Sequence, residues 1–132
     1  MTDIPPPFDA LWFRLLIGLI VGLCLGSFAT MLSYRLPRRM SIIKPDSHCP
    51  SCQTPLTALD LIPVASWLMY GGKCSHCRNK IGARYPLIEL ATGFGGMIAF
   101  AMIGFQPLLV VALGGVLALV TALTIQLERK KL

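Results

Sequence analysis

Cys49-Pro50-Ser51-Cys52 and Cys74-Ser75-His76-Cys77 are separated by twenty-one residues. Two Cys-x-x-Cys pairs at this spacing are the pattern of a four-thiolate zinc site, in which each pair forms a tight turn and one tetrahedral ion closes the chain between them. Two disulfides in a secreted domain would use the same residues, and a single redox-active pair would use half of them. Disulfides conflict with a loop whose charge places it in the reducing cytoplasm, and a redox motif leaves the second pair without a purpose. Cys49, Cys52, Cys74 and Cys77 are therefore assigned as metal ligands and zinc as the metal. His48 and His76 adjoin the cysteines, but four thiolates already saturate a tetrahedral ion.

The flanks of this segment are apolar. Of the 132 residues, 55% are hydrophobic and only 14% charged, which is too oily for a soluble globule of this size. Residues 15–34 are twenty positions without a charge, and residues 90–127 are thirty-eight. Twenty helical residues rise about 30 Å, the hydrocarbon thickness of a bilayer. The second run is too long for one span and suits two, the first opening at Pro86, with Gly104-Phe105-Gln106-Pro107 as the break. The expected fold is an all-α membrane protein: transmembrane helices at 11–34, 86–104 and 107–127, with a cytoplasmic four-cysteine zinc-binding loop at 35–85 between the first and second.

Charge sets the orientation. The loop carries Arg35, Arg38, Arg39, Lys44, Lys73, Arg78, Lys80 and Arg84 against Asp46 and Asp60, and the tail at 128–132 adds Arg129, Lys130 and Lys131. The lead-in at 1–10 holds only Asp3 and Asp9, with Pro5-Pro6-Pro7 favouring an extended chain. The positive-inside bias then puts the loop and C-terminal tail in the cytoplasm and the lead-in outside. An acidic start does not suit a cleaved signal peptide, so the first span is expected to be retained. The net charge of +6 is accounted for by this topology. The basic loop lacks the aromatic or helical elements that read bases, and no nucleic-acid partner is expected.

Three further features stand out. Gly18, Gly22 and Gly26 form a small-x-x-x-small stripe that lets another helix come close, unless they reflect only the abundance of glycine in membrane helices. Cys24, in the same span, reads as a small apolar residue. Residues 56–70 are apolar but Pro-interrupted and too short to span. A short helix or two on the membrane surface is expected there, with Trp67 and Tyr70 at the interface. Glu89 falls one turn inside the second span, where a carboxylate is costly unless it faces protein, water or a cation. It is the candidate catalytic residue; stabilisation at the boundary by the helix N-terminus and Arg84 is the structural alternative.

Gly26-Ser27-Phe28, Tyr34-Arg35-Leu36-Pro37, Cys49-Pro50-x-Cys52, Ile62-Pro63-x-x-Ser66-Trp67, Cys74-x-x-Cys77 and Arg84-Tyr85-Pro86-Leu87-Ile88-Glu89-Leu90-x-Thr92-Gly93 occur in this order. Over residues 22–127 the chain resembles the N-terminal part of the prepilin leader peptidase/N-methyltransferases. The resemblance implies a multi-pass protein of the bacterial inner membrane. It also implies substrates with the N-terminal helices of type IV prepilins or type II secretion pseudopilins. These enzymes cut the leader and methylate the new N-terminus with S-adenosylmethionine, and the zinc loop belongs to the region associated with methylation. This chain departs from the pattern where Ala29-Thr30 replaces a Leu-Asn-like pair. It departs again where Gln126 stands at the place of the first catalytic aspartate. Glutamine cannot ionise, and no Gly-x-Gly-Asp occurs in the 132 residues, so a carboxylate pair for aspartic chemistry is not expected here. Two readings follow: a methyltransferase-type domain in which Glu89 deprotonates or anchors the substrate amine, or a non-catalytic adaptor working with a separate peptidase-domain membrane protein. No Gly-rich cofactor fingerprint supports donor binding independently.

Overall fold

Apolar runs of twenty or more residues hide their backbone polar groups only by closing them within the segment, which makes helix the default. In the computed structural model, which describes residues 6–8, 10–44 and 46–130, three long helices form: α1 (Leu11–Arg35), α3 (Arg84–Ile103) and α4 (Pro107–Arg129). A five-residue helix, α2 (Ala65–Met69), lies between the first two. The three long helices are each long and apolar enough to cross a membrane. Among the described residues there is no strand, only the isolated bridges His48 to Pro55 and Lys73 to Lys80. Asp3, Pro5, Asp9 and Lys131 lie outside the described residues. Pro6 and Pro7 sit in a turn whose Pro7 carbonyl accepts the Ala10 N–H at 3.0 Å, rather than in an extended lead-in.

The glycine stripe is satisfied within the chain. α1 and α3 pack so closely that a Cβ at Gly18 would stand 2.5 Å from the Gly96 carbonyl oxygen, one at Gly22 2.8 Å from Gly93 Cα, and one at Gly26 2.7 Å from Glu89 Cα. The stripe therefore receives α3, not a partner chain. Hydroxyls fill the interior beside it: Ser33 donates to Thr30 O at 2.8 Å, Thr92 to Glu89 O at 2.9 Å and Thr124 to Thr121 O at 2.9 Å. Between membrane helices, where lipid competes equally for apolar contact, small residues and close backbones supply the attraction.

Gly104, at φ +70°, ends α3, and Pro107 opens α4. Phe105 at this turn meets Phe100 and Phe13, with centroids 5.5 and 6.3 Å away. At the opposite end Glu128 of α4 accepts from Arg38 at 3.1 Å and from Arg84, and the Arg38 guanidinium lies 4.0 Å above the Tyr34 ring. One carboxylate thus joins the loop-side ends of all three long helices.

Gly22→Ala forces its methyl into the α3 backbone, and should lower stability by about 2 kcal/mol or more, in the range of overpacked cores. Gly115, with nothing within 4 Å of an added Cβ, is the control. Gly115→Ala should be neutral or stabilising by up to about 1 kcal/mol from helix propensity. Unfolding in mixed micelles measures both, and equal effects would contradict the α1 to α3 contact.

Candidate metal centre and adjoining cavity

The two Cys-x-x-Cys segments fold as copies of one another displaced by 25 residues, so that Cys49 falls on Cys74 and Cys52 on Cys77. In each, the first cysteine's N–H donates to a carbonyl five residues on: Cys49 to Thr54 O at 3.1 Å and Cys74 to Asn79 O at 2.9 Å. Its carbonyl accepts from the residue after the second cysteine, Gln53 at 2.9 Å and Arg78 at 3.1 Å. An outer rung closes each turn, Leu56 N to Ser47 O at 2.8 Å and Ile81 N to Gly72 O at 2.7 Å. Gln53 and Arg78 occupy the left-handed region at φ +59° and +61°, the conformation that turns the chain back past its own sulfurs. The Cys-x-x-Cys spacing announces the turns; the repeated hydrogen bonds appear only in three dimensions.

All four sulfurs lie within 4.8 Å of one another, and the cluster holds no other ligand type among the described residues. Cys49 Sγ is 3.8 Å from Cys77 Sγ, and Cys52 Sγ is 4.0 Å from Cys74 Sγ. A tetrahedral ion with metal–sulfur bonds of ~2.3 Å has sulfur–sulfur edges of ~3.8 Å, so the cage fits zinc, whereas a disulfide needs ~2.05 Å. The histidines turn to other partners: His48 Nδ1 lies 3.1 Å from Asp46 O, and His76 Nδ1 3.1 Å from Ser75 Oγ.

The thiols are not equivalent. The Thr54 hydroxyl, 3.3 Å from Cys52 Sγ, and then the Thr54 N–H favour the Cys52 thiolate and lower its pKa to about 6. The N–H groups of Cys77 and His76 lower that of Cys74. At Cys77 the Asn79 N–H pulls downward, but desolvation and the three neighbouring thiols together raise its pKa to about 11. Metal binding takes thiolates and releases their protons, so ionisation begins on Cys52. Asp60 braces the same loop. It accepts from Thr57 N and Thr57 Oγ1, both at 2.8 Å, and from Ser75 Oγ at 3.1 Å, and the Thr57 donors hold its carboxyl below the usual range.

A cavity of about 520 Å³ separates this loop from the helix bundle. Thiol-loop residues form one wall, Ser27, Thr30 and Arg35 of α1 another, and Glu89 and Tyr85 of α3 a third, with Trp67 and Tyr70 between. Glu89 is only 8% exposed, and its Oε2 accepts the Val64 N–H at 2.7 Å. Neither side of the boundary account covers this contact: Glu89 reaches sideways to the loop, while Arg84 is taken by Glu128. Val64, a β-branched residue at φ +61°, was not singled out by its sequence, and nothing in the local pattern marks it. Gln126 is exposed on α4. Cys24 is free and exposed on α1, remote in sequence from the cluster.

A bundle of three membrane-length helices carrying a four-thiol loop on one end defines the class. The model of the bacterial peptidase A24 N-terminal domain matches residues 20–103, and the chain belongs to this family. Similar proteins include the prepilin leader peptidase/N-methyltransferase of Neisseria gonorrhoeae, 34% identical over 118 residues that cover 71% of this chain and 40% of that protein. The protein of the same name from Myxococcus xanthus (strain DK1622) is 38% identical over 109 residues, covering 83% of this chain and 32% of its own length. That of Bacillus subtilis (strain 168) is 47% identical over 73 residues, 55% of this chain and 29% of its own length. The chain thus spans two fifths or less of these relatives. No solved structure matches it.

In metal-free protein, alkylation of Cys52 should be half-maximal near pH 6, because the thiolate exists only above its pKa of about 6. Thr54→Val removes the hydroxyl and should move the half-point up toward the ordinary thiol value of ~8.5. Cys77 should stay unreactive until about pH 11. Mass-spectrometric mapping of alkylation against pH separates the sulfurs, and a common half-point would contradict the assignment.

Proposed function

We propose that the chain is a methylation-associated domain of the prepilin peptidase type. It lies in a bacterial inner membrane with the thiol loop and C-terminal end in the cytoplasm, and holds zinc on Cys49, Cys52, Cys74 and Cys77. It acts on the N-terminal segments of type IV pilins or type II secretion pseudopilins. The observation that carries this reading is the cavity where the thiol loop meets the bundle, with the buried Glu89 carboxylate in its wall. A pilin helix lying in the membrane would bring its amino terminus to such a place.

An α-amine with a pKa of ~7.7–8.0 is largely protonated at neutral pH, and must lose a proton before its lone pair can form a bond. Glu89 meets that need: the carboxylate anchors the ammonium and accepts its proton. Ser27 beside the carboxylate keeps it oriented. S-adenosylmethionine, when bound, supplies a methyl group carried on a sulfonium. The cavity volume falls within the ~300–1,000 Å³ of small-molecule sites, and its lining includes the aromatic residues Trp67 and Tyr70, a residue type that attracts cations. Leader cleavage is not assigned to these residues, because Gln126 offers no ionisable group and no Gly-x-Gly-Asp is present.

A second reading is favoured by the open flank of α4, where Val110 and Val111 are exposed. Here the chain is an adaptor, or one half of a two-chain enzyme whose peptidase part is a separate membrane protein.

Membranes containing this protein, given a pre-cleaved pilin and methyl-labelled donor, should label the pilin N-terminus. Glu89→Gln should lower the rate by about 100-fold or more, the usual share of a general base. No transfer where a full-length relative succeeds would contradict the first reading. Transfer restored only by a co-expressed peptidase-bearing chain would select the second.

A further inference from the structure

The loop reaches below the polar boundary of the bundle. Arg38, Arg84 and Glu128 form one charged layer that marks the loop-side ends of the helices. Glu89 lies five residues along α3 from Arg84, its backbone about 7.5 Å further in at 1.5 Å per residue, and its side chain leans back toward the N-terminal end. Because Glu89 Oε2 holds the Val64 N–H at 2.7 Å, the segment around Val64 is held against the first two turns of α3, inside the charged layer.

The segment is built for such a place. Leu59, Leu68 and Met69, outside the cavity lining, are each 60% or more exposed, and Leu61 and Ile62, at the cavity, are 45% and 40% exposed. The one charge in residues 56–70 is Asp60, and its oxygens are occupied by Thr57 and Ser75. Irregular backbone survives at membrane depth only if its polar groups are satisfied by protein. The N–H groups of Leu61, Ile62, Ala65 and Ser66 all donate to backbone carbonyls, at 2.6–3.4 Å. Pro63 has none to satisfy, and the remaining donor of residues 61–66, Val64, is the one Glu89 takes. Lys73, Arg78 and Lys80 follow directly on the exposed side, where anionic headgroups would meet them.

We propose that residues 59–69 are a re-entrant segment whose apolar surface is embedded in the lipid of the leaflet beside the loop, with Glu89 as the positioning residue that holds its backbone there. The occupant of this surface is lipid acyl chain, not a second copy and not a substrate helix. The proposal is independent of the methylation reading. Glu89→Gln retains an oxygen to accept the Val64 N–H, and so keeps the segment in place while abolishing the charge that methylation needs. Glu89→Leu removes the acceptor.

The test is photo-crosslinking of the full chain in phosphatidylcholine/phosphatidylglycerol vesicles. p-Benzoylphenylalanine is placed at Leu68 or Met69, at Met102 as a lipid-facing reference and at Ser51 as an exposed loop reference. Lipid adducts at 68 and 69 should approach those at 102 and exceed those at 51 by about five-fold or more, as expected for a surface buried in the headgroup and acyl boundary. The adducts should persist in Glu89→Gln and fall in Glu89→Leu. Hydrogen exchange on the unsubstituted protein gives the same answer without a probe: amides 61–66 protected in vesicles. Adducts no higher than at 51, crosslinks to a second copy or another protein in place of lipid, or rapid exchange of these amides would each overturn the proposal.

Discussion

The loop depends on the meeting of four sulfurs. Between α1 and α3 the only buried apolar side chains among the described residues are Cys49 and Cys74. A segment of some fifty residues with so little interior cannot offset the conformational entropy of its own ordering. The fold of the loop therefore rests on the cage: two matching turns, each bringing a pair of sulfurs to one point, where together they could hold a metal ion. In peptides of comparable construction a structural zinc supplies about 10–16 kcal/mol, enough to order a segment that lacks a core.

What the cage organises is held in register by the helices. The close approach of α1 and α3 through Gly18, Gly22 and Gly26 fixes where the loop leaves and re-enters the bundle. It also sets Glu89 against Gly26, from where its carboxylate reaches Val64. One hydrogen bond thus ties the Val64 segment of the thiol loop to α3, and both Glu89 and the thiol loop line the cavity beside it. Val64, a β-branched residue at φ +61°, costs about 1–3 kcal/mol in that conformation, and its N–H bond to the buried Glu89 carboxylate offsets part of it.

Much of this was legible in the sequence because the signals were local. Charge-free runs of twenty and thirty-eight residues gave three helices, Gly104 and Pro107 gave the turn between the last two, and the Cys-x-x-Cys spacing gave the cluster. The glycine stripe announced a close helix contact but not its partner, since spacing records a capacity and α3 happens to use it. Pairings across the chain were not legible. Glu128 with Arg38 and Arg84, Asp60 with Ser75, and Glu89 with Val64 join residues 15 to 90 positions apart, and no periodicity encodes them. Residues 56–70 were expected to hold a helix or two. Pro63 and the left-handed Val64 confine it to Ala65–Met69.

The sulfur cage is the feature on which the loop and its cavity depend, and X-ray absorption at the zinc edge of protein purified in detergent tests it most directly. One zinc per chain with a shell of four sulfurs at ~2.3 Å is the expected result. A shell containing nitrogen would bring His48 or His76 into the site against the geometry described. Absence of bound metal, with the loop still ordered, would contradict the claim that the cage holds the loop together.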